Sequence, residues 1–231
     1  MNPIFGNEKS YGSRELPWHT LTMLLIAISL FVLGGPANEE LVFNRDAIMQ
    51  GELWRLLTGH WVHSDTEHML LNLAAFAILG CMIEMSLGRY KLYSALIIGM
   101  CLVNTWLWIF IPTLVFYCGL SGILNTLLFV ILIDGWLTSR KFIFLFIGVA
   151  ATAKITFELI QSSAIFSHTT WPAIPEAHLA GTLAAVILIF CKEILSTRTY
   201  ISKIRLKLRK ITSNTKMLKS NSTQTPYKMS E

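Results

Sequence analysis

The sequence predicts an all-α polytopic membrane protein, a bundle of six helices with both termini in the cytoplasm. Three observations predict it. The 231-residue chain is 53% hydrophobic and only 14% charged, against about 25% charged in soluble domains. Six apolar runs recur, several of them long enough for a span of about 17–25 residues. Of 19 Lys and Arg, 16 fall on one side of the alternation these runs create. The same composition excludes a disordered chain, a disulfide scaffold and a collagen-like repeat.

In order, the spans run from about His19 to Leu33, His68 to Met85, Tyr90 to Ile111, Leu114 to Leu137, Lys141 to Ile160 and Pro175 to Ile194. They divide the chain into an N-terminal segment (1–17), a membrane domain (18–195) and a basic tail (196–231). Open sheet cannot survive in lipid and no barrel-type alternation is visible, so each run reads as helix. Trp18, Trp106, Trp108, Trp136 and Trp171 fall near span ends and Trp54 and Trp61 in the first loop; indole rings prefer headgroup level. The cations of one side are Lys9, Arg14, Arg89, Lys91, Arg140, Lys141 and everything basic after Cys191. The positive-inside rule places that side in the cytoplasm. In the tail, Ile201, Ile204, Leu208 and Ile211 recur at helical spacing among cations, which suits an interfacial helix on anionic lipid; the residues after Thr212 read as disordered. No stacking aromatics are interleaved with the cations, so nucleic acid is not the expected partner. Cys81, Cys101, Cys118 and Cys191 lie in or beside apolar runs without paired spacing and read as buried, inert thiols.

Polar side chains inside spans are costly and mark function by default. Here the second, fourth and sixth spans, mutually parallel, each carry some near the outer surface: His68 and Asn72, then Ser121 and Asn125, then His178. His68 and Asn72, at i and i+4, share one helix face and both offer donors. Gly119 and Gly122 flank Leu120-Ser121, permitting a tight turn with the serine exposed at a helix start, where free N–H groups suit a developing oxyanion. His178 is the nearest base at matching depth, and Gly181 lets its helix approach closely. These are the parts for acyl transfer: nucleophile, base and oxyanion donors. No acid sits deep enough to complete a triad, so a Ser–His dyad is the expectation. Each signal alone has a plainer reading: G-x-S-G as helix packing, a lone His as a structural bonder, His68-x-x-x-Asn72 as a clamp between helices. Their joint depth and topology favour the site.

With these residues in view the chain resembles the rhomboid intramembrane serine proteases over Gly51–Ala185. Trp54-Arg55 resembles the family's first-loop motif; the stretch Trp54–His63, then His68-Met-Leu-Leu-Asn72, is similar to its loop-one and helix-two signature; Gly80, Glu84 and Gly88 resemble the end of that helix. Gly119-Leu-Ser-Gly122 and Ala177-His-x-x-Gly181 resemble the nucleophile and base motifs. The Thr58–His63 string, the compact six-helix layout and Tyr117-Cys-Gly-Leu-Ser-Gly122 are most similar to the rhombosortase branch, whose implied substrates are bacterial surface or secreted proteins bearing a C-terminal Gly-Gly motif, a transmembrane helix and basic residues. The resemblance implies a multi-pass protein of the bacterial inner membrane, Ser121 as nucleophile, His178 as base, and His68, Asn72 and the Ser121 N–H as the oxyanion hole, with no cofactor and no metal. Two positions depart: Asn125 stands where the family carries a ring that packs on the base, and Ala185 replaces a glycine. A non-catalytic rhomboid-like protein that binds membrane clients is the rival reading; such proteins lack the serine or the histidine, and this chain has both.

Lys154 and Glu158 lie at i and i+4 in the fifth span. The plainer reading sends Glu158 to the outer headgroups and lets Lys154 bond a neighbour; facing inward, the two would pair. Asp134 reads as a solvated end residue, His60 and His63 as bonders within the first loop, and Arg55 as a hydrogen-bonded loop anchor. No thiol or carboxylate cluster completes a metal site around the two histidines.

Overall fold

A computed structural model describes residues 16–161 and 170–191. Lys9, Arg14 and the basic tail, including the proposed lipid-facing helix, lie outside the described residues. The chain forms two compact units; the first extends to Leu188, and of the second, Ile189–Glu231, only Ile189–Cys191 is described, as helix.

The elements in order are α1 (Trp18–Gly34), β1 (Phe43–Asn44), α2 (Arg45–Met49), α3 (Arg55–Thr58), α4 (Thr66–Leu87), α5 (Arg89–Phe110), β2 (Phe116–Tyr117), α6 (Ser121–Ser139), α7 (Phe142–Gln161) and α8 (Pro175–Cys191). Helices α4 to α7 are long and apolar enough to cross a membrane; α1 and α8 are shorter apolar helices. Large apolar side chains such as Leu25, Val32, Ile78, Phe146 and Ile160 point outward, as a lipid-facing surface requires. The core gathers Phe76 and Ile83 from α4, Leu92 and Leu96 from α5, Ile123, Leu127 and Val130 from α6 and Ile155 from α7.

The helix ends have identifiable causes. Asp65, in extended conformation, caps α4 by accepting the His68 N–H at 2.8 Å, the expected N-cap chemistry. Helix α1 begins after Pro17 without a local cap. Its first amides are satisfied from α4 instead: Glu84 accepts the N–H groups of His19 (3.0 Å) and Thr20 (2.8 Å) and the Thr20 hydroxyl (2.7 Å). A carboxylate there also suits the positive end of the helix dipole. Arg45 closes the other end of α5, donating to the carbonyls of Leu107 (2.8 Å) and Ile111 (3.0 Å) while stacking on Trp108.

The fourth span departs from expectation. It begins at Ser121, seven residues later than Leu114. Phe116 and Tyr117 are drawn into an antiparallel pair with Asn44 and Phe43, and Gly119, at φ +110°, makes the turn from strand to helix. That φ is open to glycine at little cost. The thiols also differ: Cys118 is buried, Cys81 half-buried, and Cys101 and Cys191 are exposed on the outer face of their helices, all four free.

Helices α6 and α8 meet at their backbones. A Cβ at Gly181 would collide with the Gly122 carbonyl, and one at Gly122 would lie 3.0 Å from the Ala177 carbonyl oxygen. The Thr126 hydroxyl adds a bond across the gap, donating to the Gly181 carbonyl at 2.9 Å. Small residues permit this closeness, as the Gly181 spacing predicts.

Candidate active site

Ser121 is the first residue of α6, half-buried, in the turn that Gly119 begins. His178 lies in the first turn of α8, buried. The residues beside them, Gly122 and Ala177, are in contact. Ser121, His178, His68, Asn72, Asn125, Lys154 and Glu158 all line one cavity of about 830 Å³, walled otherwise by apolar side chains such as Leu71, Leu128 and Trp171. The sequence-predicted quartet of Ser121, His178, His68 and Asn72 therefore converges.

Asn72 and His68 are aimed at the turn before the serine. A Cβ at Gly119 would press on the His68 imidazole and lie 3.5 Å from the Asn72 Nδ2, so only glycine leaves them room. The Asn72 side chain is buried, and its Nδ2 has no hydrogen-bond partner. A buried donor without a partner is costly, and one that faces the start of a helix beside a serine is placed for an oxyanion.

His68 is held from behind. Its Nδ1 lies 3.0 Å from the Ser64 hydroxyl, which donates to Asp65 at 2.8 Å. Burial works to raise the Asp65 pKa, but the amides of His68 and Thr170 and the hydroxyls of Ser64 and Thr170 hold it down to about 2. Asp65 is thus an acceptor, the single Ser64 proton goes to it, and His68 Nδ1 must carry the hydrogen. In that tautomer Nε2 donates a hydrogen bond only as the imidazolium.

Glu158 overturns the expectation that no acid reaches the base. It is 1% exposed, and its Oε2 lies 3.0 Å from His178 Nδ1 while Oε1 pairs with Lys154 Nζ at 2.6 Å. The headgroup reading of Glu158 fails because the helix face it occupies is one of the few on α7 that pack inward, alongside Ile155. An isolated carboxylate could not stay there; an ion pair and an imidazole N–H let it. The signal was present in the sequence as an i,i+4 pair in an otherwise apolar helix. Asn125, where a ring is expected, donates instead to the Ser121 carbonyl at 2.9 Å.

Tyr117 enters the sequence reading only as the first residue of the Tyr117–Gly122 string. Its hydroxyl donates to the Gly119 carbonyl at 3.1 Å. Burial drives the phenol well above its usual range, with the nearby Cys118 adding to that and the Ser121 hydroxyl opposing it as a donor. His60 packs edge-on against the Tyr117 ring and bonds Asn104 at 3.2 Å. Burial lowers its pKa to about 4. His63 is lowered to about 3, by burial first and then by His68, with Asp65 opposing. Unlike His60, His63 has no partner on either ring nitrogen, so the expected bonding role in the loop holds for His60 alone. Arg55 is the buried loop anchor that its motif predicts, donating to the carbonyls of Glu39 and Val42 and to Glu52. Trp54 reaches the Glu40 carbonyl from the surface.

No curated protein sequence matches the chain. A family model, the rhomboid domain, matches residues 50–193, a stretch that begins ahead of the Trp54-Arg55 loop and holds the whole cavity quartet. The chain is a multi-pass membrane protein that belongs to the rhomboid family, a family of intramembrane serine proteases.

Proposed function

We propose that the chain is an intramembrane serine endopeptidase that cleaves membrane-anchored proteins near the outer face of a bacterial inner membrane. The observation that carries this reading is the shared cavity: Ser121 at a helix start, His178 lining the same cavity, and an unpartnered Asn72 amide facing the turn before the serine. Six spans, with α1 and α8 as the short ones and both termini inside, complete the topology that the distribution of cations supports.

In this reading the Ser121 oxygen attacks a substrate carbonyl and His178 takes its proton. The Asn72 amide and the Ser121 N–H receive the oxyanion, joined by His68 when it is protonated. The imidazolium returns its proton to the leaving amine, and water then releases the acyl group from Ser121. Similarity to the rhombosortase branch supports Gly-Gly-tailed surface or secreted proteins as substrates, and the basic tail suits anionic lipid.

Ser121→Ala, expressed to the same level with a Gly-Gly-tailed candidate substrate, tests the function. Cleavage is expected to fall to background. Persistent cleavage would remove the protease reading in favour of a client-binding rhomboid-like protein. A tail lacking Gly-Gly that is cut equally well would remove the branch assignment alone.

A further inference from the structure

We propose that Glu158 is a positioning residue for the base, with Lys154 as its counter-charge, so that α7 contributes the orientation of a Ser–His–Glu arrangement. The inference rests on the protease reading above. Its ground is the contact of 3.0 Å between Glu158 Oε2 and His178 Nδ1, made by a carboxylate that is 1% exposed.

The chemistry follows from proton counting. An ionised carboxylate only accepts, so Nδ1 carries the hydrogen and Nε2 the lone pair. That tautomer presents the basic nitrogen away from α7, toward the cavity where Ser121 lies. The other neutral tautomer would offer Ser121 an N–H and could take no proton from it. As the serine oxygen bonds the substrate carbonyl carbon, the O–H proton passes to Nε2, and the carbonyl π pair becomes the oxyanion. The imidazolium so formed lies against the Glu158 carboxylate, which keeps no proton itself. On collapse the C–N bond breaks and the Nε2 proton leaves with the amine. The base needs this help in this chain in particular. The residue one turn after the nucleophile is Asn125, which is turned to the Ser121 carbonyl, so no ring from that position holds the imidazole.

Lys154 has a different part. Its ammonium takes the other carboxylate oxygen at 2.6 Å, and its side chain is 36% exposed at the cavity. A buried carboxylate stays ionised when a cation shares it. Lys154 thus balances the carboxylate through the oxygen that does not face His178.

The test uses the full chain in proteoliposomes, reading fluorophosphonate labelling of Ser121 and cleavage of a model membrane substrate. Glu158→Gln is expected to lower labelling rate and kcat by about 100-fold, the usual worth of a working base, with KM changed by less than about 2-fold. Glu158→Asp should recover part of the loss, and Lys154→Met should cost about 10-fold, less than losing the carboxylate. Wild-type labelling and kcat in a folded Glu158→Gln variant would overturn the proposal. A wild-type chain that labels no faster than Ser121→Ala would instead remove the protease reading itself. Should Glu158→Gln fail to fold, nitrogen spectra of histidine-labelled wild-type protein decide: an Nδ1–H tautomer at His178 supports the assignment, and an Nε2–H tautomer overturns it.

Discussion

Helices α6 and α7 are neighbours of 19 and 20 residues, and they solve opposite problems. In the apolar stretch of α6, 44% of residues are buried; in that of α7, 11% are. Helix α6 is enclosed by α4, α5, α7 and α8, and the proposed nucleophile is its first residue. Helix α7 faces outward along most of its length and buries only Ile155 and Glu158. A charge on a helix enclosed by others has many ways to find a partner. On a helix that faces lipid, a charge survives only where that helix touches the rest of the molecule, so the position of Glu158 carries more information than that of any apolar residue around it.

The contrast can be broken most forcefully at the α6–α8 contact. Gly181→Ala sets a methyl against the Gly122 carbonyl, a backbone atom that cannot swing aside. Cleavage should fall to background and stability should drop by about 3 kcal/mol, read by thermal denaturation in detergent. Unchanged melting would mean that the helices are free to separate. At the start of α6, Asn72→Ala should lower kcat by about 100- to 1,000-fold, with His68→Ala costing less because its Nε2 donates only when protonated. Equal losses from the two would refute the tautomer assigned through Ser64.

Along α7 the effects should be smaller and uneven. Ile155→Ala removes a buried side chain and should cost about 2 kcal/mol. The first loop sharpens the comparison from outside the helices. Above pH 6.5, the ordinary histidine value, His60 and His63 are neutral whether the chain is folded or not. Below it the unfolded chain binds protons that the folded loop refuses down to about pH 4 and 3. Stability should therefore decline as pH falls from 6.5, by a few degrees in melting temperature, and less in a variant with both histidines replaced by Gln. Phe146→Ala, on the outer face of α7, should change stability by less than about 0.5 kcal/mol; a larger loss would mean that this face is covered.

Much of this was legible before any coordinates. Apolar length located five of the helices to within a few residues, because a hydrocarbon slab imposes a length whatever the tertiary contacts. Glycine placement marked the Gly181 approach and the turn before Ser121. Three things were hidden. The start of α6 was masked because Phe116 and Tyr117 are as apolar as helix residues, and only their pairing with loop one makes them strand. The face of Glu158 was undetermined, since α7 is apolar all round and periodicity could not say which stripe packs. The bond of Tyr117 was hidden because it comes from a hydroxyl meeting the Gly119 carbonyl across a two-residue turn, which no spacing announces.

The glycine contact between α6 and α8 has a mechanical side as well. Helices respond to a thicker or thinner bilayer by tilting, and a rigid body that tilts about a point displaces each atom in proportion to its distance from that point. Gly122 and Gly181 are where these two rods touch. Ser121 is the residue next to that contact and His178 is one turn from it, so a tilt of either helix about the contact would move the pair least.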